Sequence, residues 1–281
     1  MDERRRAAWR ALGLGPVWVA RGQACAVEPA PPAPAVVAPS QAQTLPQSPP
    51  PREQPLPPPL LQPLELFEPP REDLRQDALA AAPADALVRL DALREVVAGC
   101  PKCRLCQSRT RTVFGMGDPR ARWMFIGEAP GAEEDARGDP FVGQAGRLLD
   151  AMLAAIGLDR GRDVYIANVI KCRPPGNRNP QPDEVASCEP YLREQIALVR
   201  PALLVLLGRF AAQSLLRTQA PIGALRGRVH RYEGAHGPVP AIVTYHPAYL
   251  LRAPLDKSKA WRDLCLACEE FARQRPAAAA A

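Results

Sequence analysis

The chain of 281 residues contains no run of about 18 consecutive apolar residues, the length that a membrane-spanning helix requires. It also lacks the unbroken apolar stretch of a secretory leader: Arg4, Arg5 and Arg6 precede an apolar segment that Arg10 interrupts. A cytoplasmic protein is therefore expected, and in that compartment eight cysteines point to metal or redox chemistry rather than to disulfides. The glycine-rich segment 127–149 has neither the spacing of a dinucleotide fingerprint nor a P-loop lysine, which argues against a nucleotide triphosphatase. Glu133, Glu134 and Asp135 have no distant acidic partner in the sequence, so a two-metal nucleotidyl-transfer site is not supported.

Turn-forming glycines are scarce from residue 24 to 84, whereas 16 of the 34 prolines fall between Pro29 and Pro70. Such a segment buries too little apolar surface to offset its ordering entropy and reads as a disordered, partly polyproline-II linker. Residues 1–23 carry Trp9, Leu12, Leu14, Val17 and Trp18, enough for a short docking segment, with a replication or single-strand-binding protein as its candidate partner. The folded body is placed at 85–275, with a short disordered tail at 276–281. Residues 1–85 hold 8 Lys+Arg against 10 Asp+Glu, leaving 28 against 20 for the body. The body is thus the basic part, as a polyanion partner would favour without requiring it.

Within the body, Leu87, Leu90, Leu93 and Val97 share one stripe of a helix over 86–97. Four short apolar runs, Trp123 to Ile126, Val164 to Ile170, Leu203 to Leu207 and Ala241 to Tyr245, read as buried strands. Helical patterns occupy 144–157, 182–199, 209–217 and roughly 256–274. Alternation of strand and helix predicts an α/β three-layer sandwich around a central, mostly parallel four-stranded sheet. The segment GEAPG (127–131) follows the first strand, Asn168 closes the second, Gly208 follows the third and the pair His246-Pro247 the fourth, so all four meet at the carboxyl edge, where open α/β sheets build their sites.

Three constellations carry chemistry. Cys100 and Cys103 form C-x-x-C, and Cys172 and Cys188 flank a distant loop; four thiolates assembled this way suit zinc or an iron–sulfur cluster, with zinc favoured by spacing alone. Cys106 is a nearby spare. Cys25, Cys265 and Cys268 fit free cysteines, although the last two repeat the C-x-x-C spacing. Phe141, between Pro140 and glycines, reads as an exposed aromatic platform, with packing on the following helix as the alternative. His246 ends a strand beside Asn168 and Glu128 and is followed by Leu250, Leu251 and Arg252, an apolar wedge and a cation of the kind that fills a vacated base stack.

The motifs GEAPG-x-x-ED, G-x-PFVG-x-AG-x-LL, N-x-x-KCRPP-x-NR-x-P and HPAYLLR, with the preceding C-x-x-C, closely resemble the family 4 uracil-DNA glycosylases over roughly residues 88–274. The resemblance implies excision of uracil from DNA by a monomer that carries a [4Fe–4S] cluster on Cys100, Cys103, Cys172 and Cys188. By the same resemblance Phe141 stacks on the flipped base and Asn168 reads the uracil amide edge. Glu134 crowds the uracil 5-position, and His246 donates to O2 as charge grows there. Ala129 stands where better-known uracil glycosylases place a water-orienting Asp, which leaves Glu128, or backbone carbonyls of its loop, to position the water. Leu250, Leu251, Arg252 and Arg178 are the expected DNA contacts. A covalently trapping relative would need a His in KCRPPGNRNPQ, and there is none. A DNA-binding module with an inactive pocket would have no need of Phe141, Asn168 and His246 together.

Overall fold

The computed structural model describes residues 84–274; the expectations for the docking segment, the linker and the tail lie outside the described residues. Helix α1 (Ala84–Ala98) leads into a short 3-10 turn at Arg104–Gln107. Six strands follow, β1 (Met116–Gly117), β2 (Trp123–Gly127), β3 (Val164–Asn168), β4 (Leu203–Leu207), β5 (Val229–Gly234) and β6 (Gly237–Thr244), in the order β1-β3-β2-β4-β6-β5. The helices between and after them are α2 (Ala132–Arg137), α3 (Gln144–Ala155), α4 (Pro182–Val199), α5 (Arg209–Leu216), α6 (Ile222–Leu225), α7 (Pro247–Arg252) and α8 (Lys257–Arg273).

The four central strands are parallel, and β2, β3 and β4 are buried at every position, as continuous apolar runs covered on both faces must be. Alternate residues of β2 part to opposite faces. Met124 and Ile126 join α1, α4 and α5 in one core, while Trp123 and Phe125 join α3 and α8 in the other. The sheet is six-stranded rather than four-stranded, because antiparallel edges flank the parallel core. β1 has only two residues, and β5 (VHRYEG) is half-exposed and polar, so neither produces an apolar run. β6 also begins earlier than its apolar half: Pro238 and Pro240 pair with β5 alone, and pairing to β4 starts at Ala241, since proline has no N–H to give a second neighbour.

Candidate active site

β2 and β3 end side by side, with Gly127 opposite Asn168. A Cβ at Gly127 would lie 2.4 Å from Asn168 Oδ1 and 2.6 Å from the Phe141 ring, so glycine here lets both side chains converge over the strand end. Asn168 is buried, and its Oδ1 has no hydrogen-bond partner in the protein. A buried acceptor without a partner is costly and calls for a donor from elsewhere. Beneath it lies a closed polar network. The Lys171 ammonium, itself buried, donates to the Asn168 carbonyl at 2.8 Å and to Gln195 Oε1 at 2.5 Å, and Gln195 Nε2 donates to Phe114 O at 3.0 Å. Burial lowers the Lys171 pKa to about 8 against the opposing influence of Cys188.

Phe141 is 6% exposed, not the open platform expected from its setting. Its ring lies 5.5 Å from the His246 ring and is tilted by 30° to it. The residue has φ 55°, a conformation that costs a non-glycine residue about 1–2 kcal/mol and persists only where its surroundings dictate it. A Cβ at Gly146 would stand 1.7 Å from the Phe141 carbonyl oxygen, which fixes how closely α3 approaches this turn. Glu134 accepts from Val142 N at 2.9 Å and Gly143 N at 3.1 Å with one oxygen, and from Gly131 N at 3.1 Å with the other. Its carboxylate is thus a strut between two loops of the site. Arg160, which no sequence motif signals, grips the opposite side of the same turn through the carbonyls of Pro140 and Phe141 at 3.0 and 2.7 Å.

His246 caps α7: its Nδ1 accepts from Ala248 N–H at 3.2 Å. Burial, reinforced by Arg252 and opposed by Glu134, pushes its pKa down to about 4. The ring is therefore neutral at pH 7, and with Nδ1 committed as an acceptor the proton sits on Nε2. Gly208, at φ +92°, packs the turn after β4 onto this histidine; a Cβ there would be 3.0 Å from the His246 Cβ. Glu128, beside Ala129 on the loop after β2, is partly buried, and burial raises its pKa to about 7 although Arg209 pulls it down. A carboxyl whose pKa is raised toward neutrality is suited to proton transfer.

The expected DNA contacts separate. Leu250 is fully buried in the core beside α3 and cannot act as a wedge, because 247–252 forms a helix that turns this residue inward. Leu251 (41% exposed), Tyr249 (37%) and Leu255 (91%) are the apolar groups that the segment presents to solvent, and Arg252 is exposed beside them. Arg178 is engaged by Glu184 through two contacts of 2.6 and 2.9 Å.

Cys100, Cys103, Cys172 and Cys188 line one cavity. Donors point at three of the sulfurs. Arg109 Nη1 lies 3.2 Å from Cys172 Sγ, the Tyr191 hydroxyl 3.2 Å from Cys100 Sγ, and the Lys171 backbone N–H 3.3 Å from Cys188 Sγ. Arg109 also ties the carbonyls of Ala98 and Cys100 at 3.1 and 2.9 Å. Among the described residues no group of three or more His, Cys, Asp or Glu is placed to hold a single metal ion. Four thiols around one cavity, three of them with donors aimed at sulfur, are a donor set of the kind that thiolate-bound metal centres use. The Cys106 thiol lies 4.0 Å from the Pro101 carbonyl, and Cys265 and Cys268 lie on α8. No helix among the described residues is long and apolar enough to cross a membrane.

The strand ends thus bring together an orphan amide oxygen, a buried aromatic ring and a neutral histidine. The chain belongs to the Uracil DNA glycosylase superfamily, whose profile matches residues 114–266, more than half of its length. Within that superfamily it is similar to the type-4 group. The type-4 uracil-DNA glycosylase of Archaeoglobus fulgidus is 47% identical over 168 residues, 58% of this chain and 83% of that protein. That of Pyrobaculum aerophilum is 41% identical over 181 residues, 63% and 92% of the two chains. A type-5 uracil-DNA glycosylase from Thermus thermophilus is 35% identical over 178 residues, 56% and 79%.

Proposed function

We propose that this chain excises uracil from DNA, leaving an abasic site that initiates base excision repair, and that Cys100, Cys103, Cys172 and Cys188 hold a [4Fe–4S] cluster. One observation carries the reading: Asn168 Oδ1 is buried without a partner and meets the Phe141 ring over Gly127, and that ring lies 5.5 Å from His246. Uracil everted from the helix satisfies that atom with its N3–H, while the amide nitrogen of Asn168 donates to O4 and the Phe141 ring stacks on the base.

Scission of the bond between C1′ and N1 leaves its electron pair on uracil and an oxocarbenium-like sugar. The neutral His246 presents Nε2–H to O2 as negative charge collects there, and a donor fixed before the reaction stabilises that charge without reorganisation. Glu128, with its pKa of about 7, accepts a proton from the water that attacks C1′. Glu134 contributes by fixing the loops around the 5-position of the base, where a methyl group would have to fit. Leu251 and Leu255 are the apolar groups available to fill the gap left in the base stack, with Arg252 to meet a phosphate. The cluster, when bound, supplies a rigid anchor for the loop between Cys172 and Cys188, and the reaction needs no change in its oxidation state.

The test is purification without oxygen, determination of iron and acid-labile sulfide, and assay of alkali-labile cleavage of a uracil-bearing oligonucleotide. About four irons per chain, lost in Cys172→Ser, and strand cleavage at uracil are expected. An iron-free protein that cleaves would overturn the cluster alone; a protein that binds DNA but releases no uracil would overturn the enzyme.

A further inference from the structure

Arg160 stands outside every sequence motif, in the turn between α3 and β3, yet it is hydrogen-bonded to the turn that carries Phe141. Nη2 donates to the Phe141 carbonyl at 2.7 Å, Nη1 to the Pro140 carbonyl at 3.0 Å and to Met116 Sδ at 3.1 Å, and Nε to Asp150 at 2.6 Å. All three guanidinium nitrogens are in use. The turn that delivers the side chain is itself braced: Asp159 Oδ1 accepts from Gly161 N at 2.9 Å, and Asp163 Oδ2 accepts from Asp159 N at 2.8 Å.

We propose that Arg160 is a positioning residue for base stacking, acting on the flipped uracil only through the Phe141 ring. The inference rests on the glycosylase reading above and extends it to a residue that need not touch the substrate. Its physical basis is the left-handed backbone of Phe141, φ 55°, which needs external constraint to persist. The constraint comes from two sides. Glu134 takes the N–H groups of Val142 and Gly143, and Arg160 takes the carbonyls of Pro140 and Phe141, so an anion and a cation clamp the peptide units that flank the ring. A lysine reaches with a single ammonium point and cannot reproduce a fork that meets two successive carbonyls and a carboxylate together.

The test compares wild type, Arg160→Lys, Arg160→Gln, Phe141→Ala and the Arg160→Gln, Phe141→Ala double variant. The readouts are kcat and KM on a uracil-bearing oligonucleotide, inhibition by free uracil, and Tm. Arg160→Gln is expected to lower kcat/KM about tenfold or more and to weaken inhibition by free uracil by a similar factor. Arg160→Lys should recover little of either. In the Phe141→Ala background the same substitution should cost less than twofold, because residues that act through one group are not additive. Losses that multiply in the double variant, or unchanged inhibition by uracil, would overturn the proposal. A wild type that does not excise uracil would instead overturn the glycosylase reading itself. If Arg160→Gln fails to fold, Arg160→Lys decides alone: full activity and normal uracil inhibition refute the role.

Discussion

Replacing His246 by alanine removes two things of different size. The first is the cap of α7: Nδ1 no longer accepts the Ala248 N–H at 3.2 Å, and loss of an N-cap costs about 1 kcal/mol of stability. The second is the Nε2–H donor to uracil O2. A preorganised donor to a developing anion contributes about 3–4 kcal/mol, a hundred- to thousandfold in rate. His246→Asn separates the two, since asparagine is a good cap but cannot project a ring donor to the same point. In single-turnover excision, both variants should lose at least a hundredfold in rate, while Asn should keep more of the wild-type Tm than Ala. The protonation state adds a second check. With its pKa pushed down to about 4 by burial, the folded imidazole stays neutral through the range in which a free histidine would charge. Folding stability should therefore fall as pH drops below about 6.5, the unfolded value, and on toward 4, and Asn should blunt that decline. A rate that His246→Asn leaves within tenfold of wild type, or a catalytic limb near pH 6.5 that vanishes in the variant, would refute the neutral-donor assignment.

Glu128 sets the opposite dependence. Its pKa is raised to about 7, so excision should decline as pH falls through that value, and Glu128→Gln should abolish the limb together with most of the rate. Because the protonated form is the one favoured by folding, the carboxyl costs stability as pH rises from about 4.5 to 7. Glu128→Gln should accordingly gain Tm over wild type at pH 8 and not at pH 4.5. Gly127→Ala places a Cβ 2.4 Å from Asn168 Oδ1 and 2.6 Å from the Phe141 ring; near-complete loss of excision is expected, with iron content and DNA binding retained. Lys171→Met leaves the Gln195 Oε1 and the Asn168 carbonyl short of a buried donor, a penalty of about 1–3 kcal/mol. A lowered Tm and weaker inhibition by free uracil are the measurements that check it.

Local residue order was sufficient for the central part of the fold. The runs WMFIG, VYIAN and LLVLL are apolar at nearly every position because both faces of a parallel sheet are covered, and that pattern is visible without coordinates. The same order placed Gly127, Asn168, Gly208 and His246 after strands, hence on one edge, because parallel strands share a direction. It could not give the antiparallel edges, since a two-residue strand and a half-exposed hairpin arm have no apolar period to read.

Side-chain direction was the harder part. HPAYLLR advertises two leucines, but only the helical turn over Pro247–Arg252 decides that Leu250 enters the core while Leu251 faces solvent. Phe141 sits among residues typical of an exposed loop, and its burial follows from the missing Cβ atoms of Gly127 and Gly146, one of them 14 residues away. Arg160 carries no local mark at all, because its role comes from carbonyls 19 and 20 residues earlier in the chain. The sequence by itself therefore determined the parallel core and the identity of the residues gathered at its carboxyl edge, through periodicities that act over a few neighbours. Only the tertiary structure decided which of those side chains converge at the strand ends, which brace them and which are lost to the core, because those outcomes depend on distances between segments that local order does not encode.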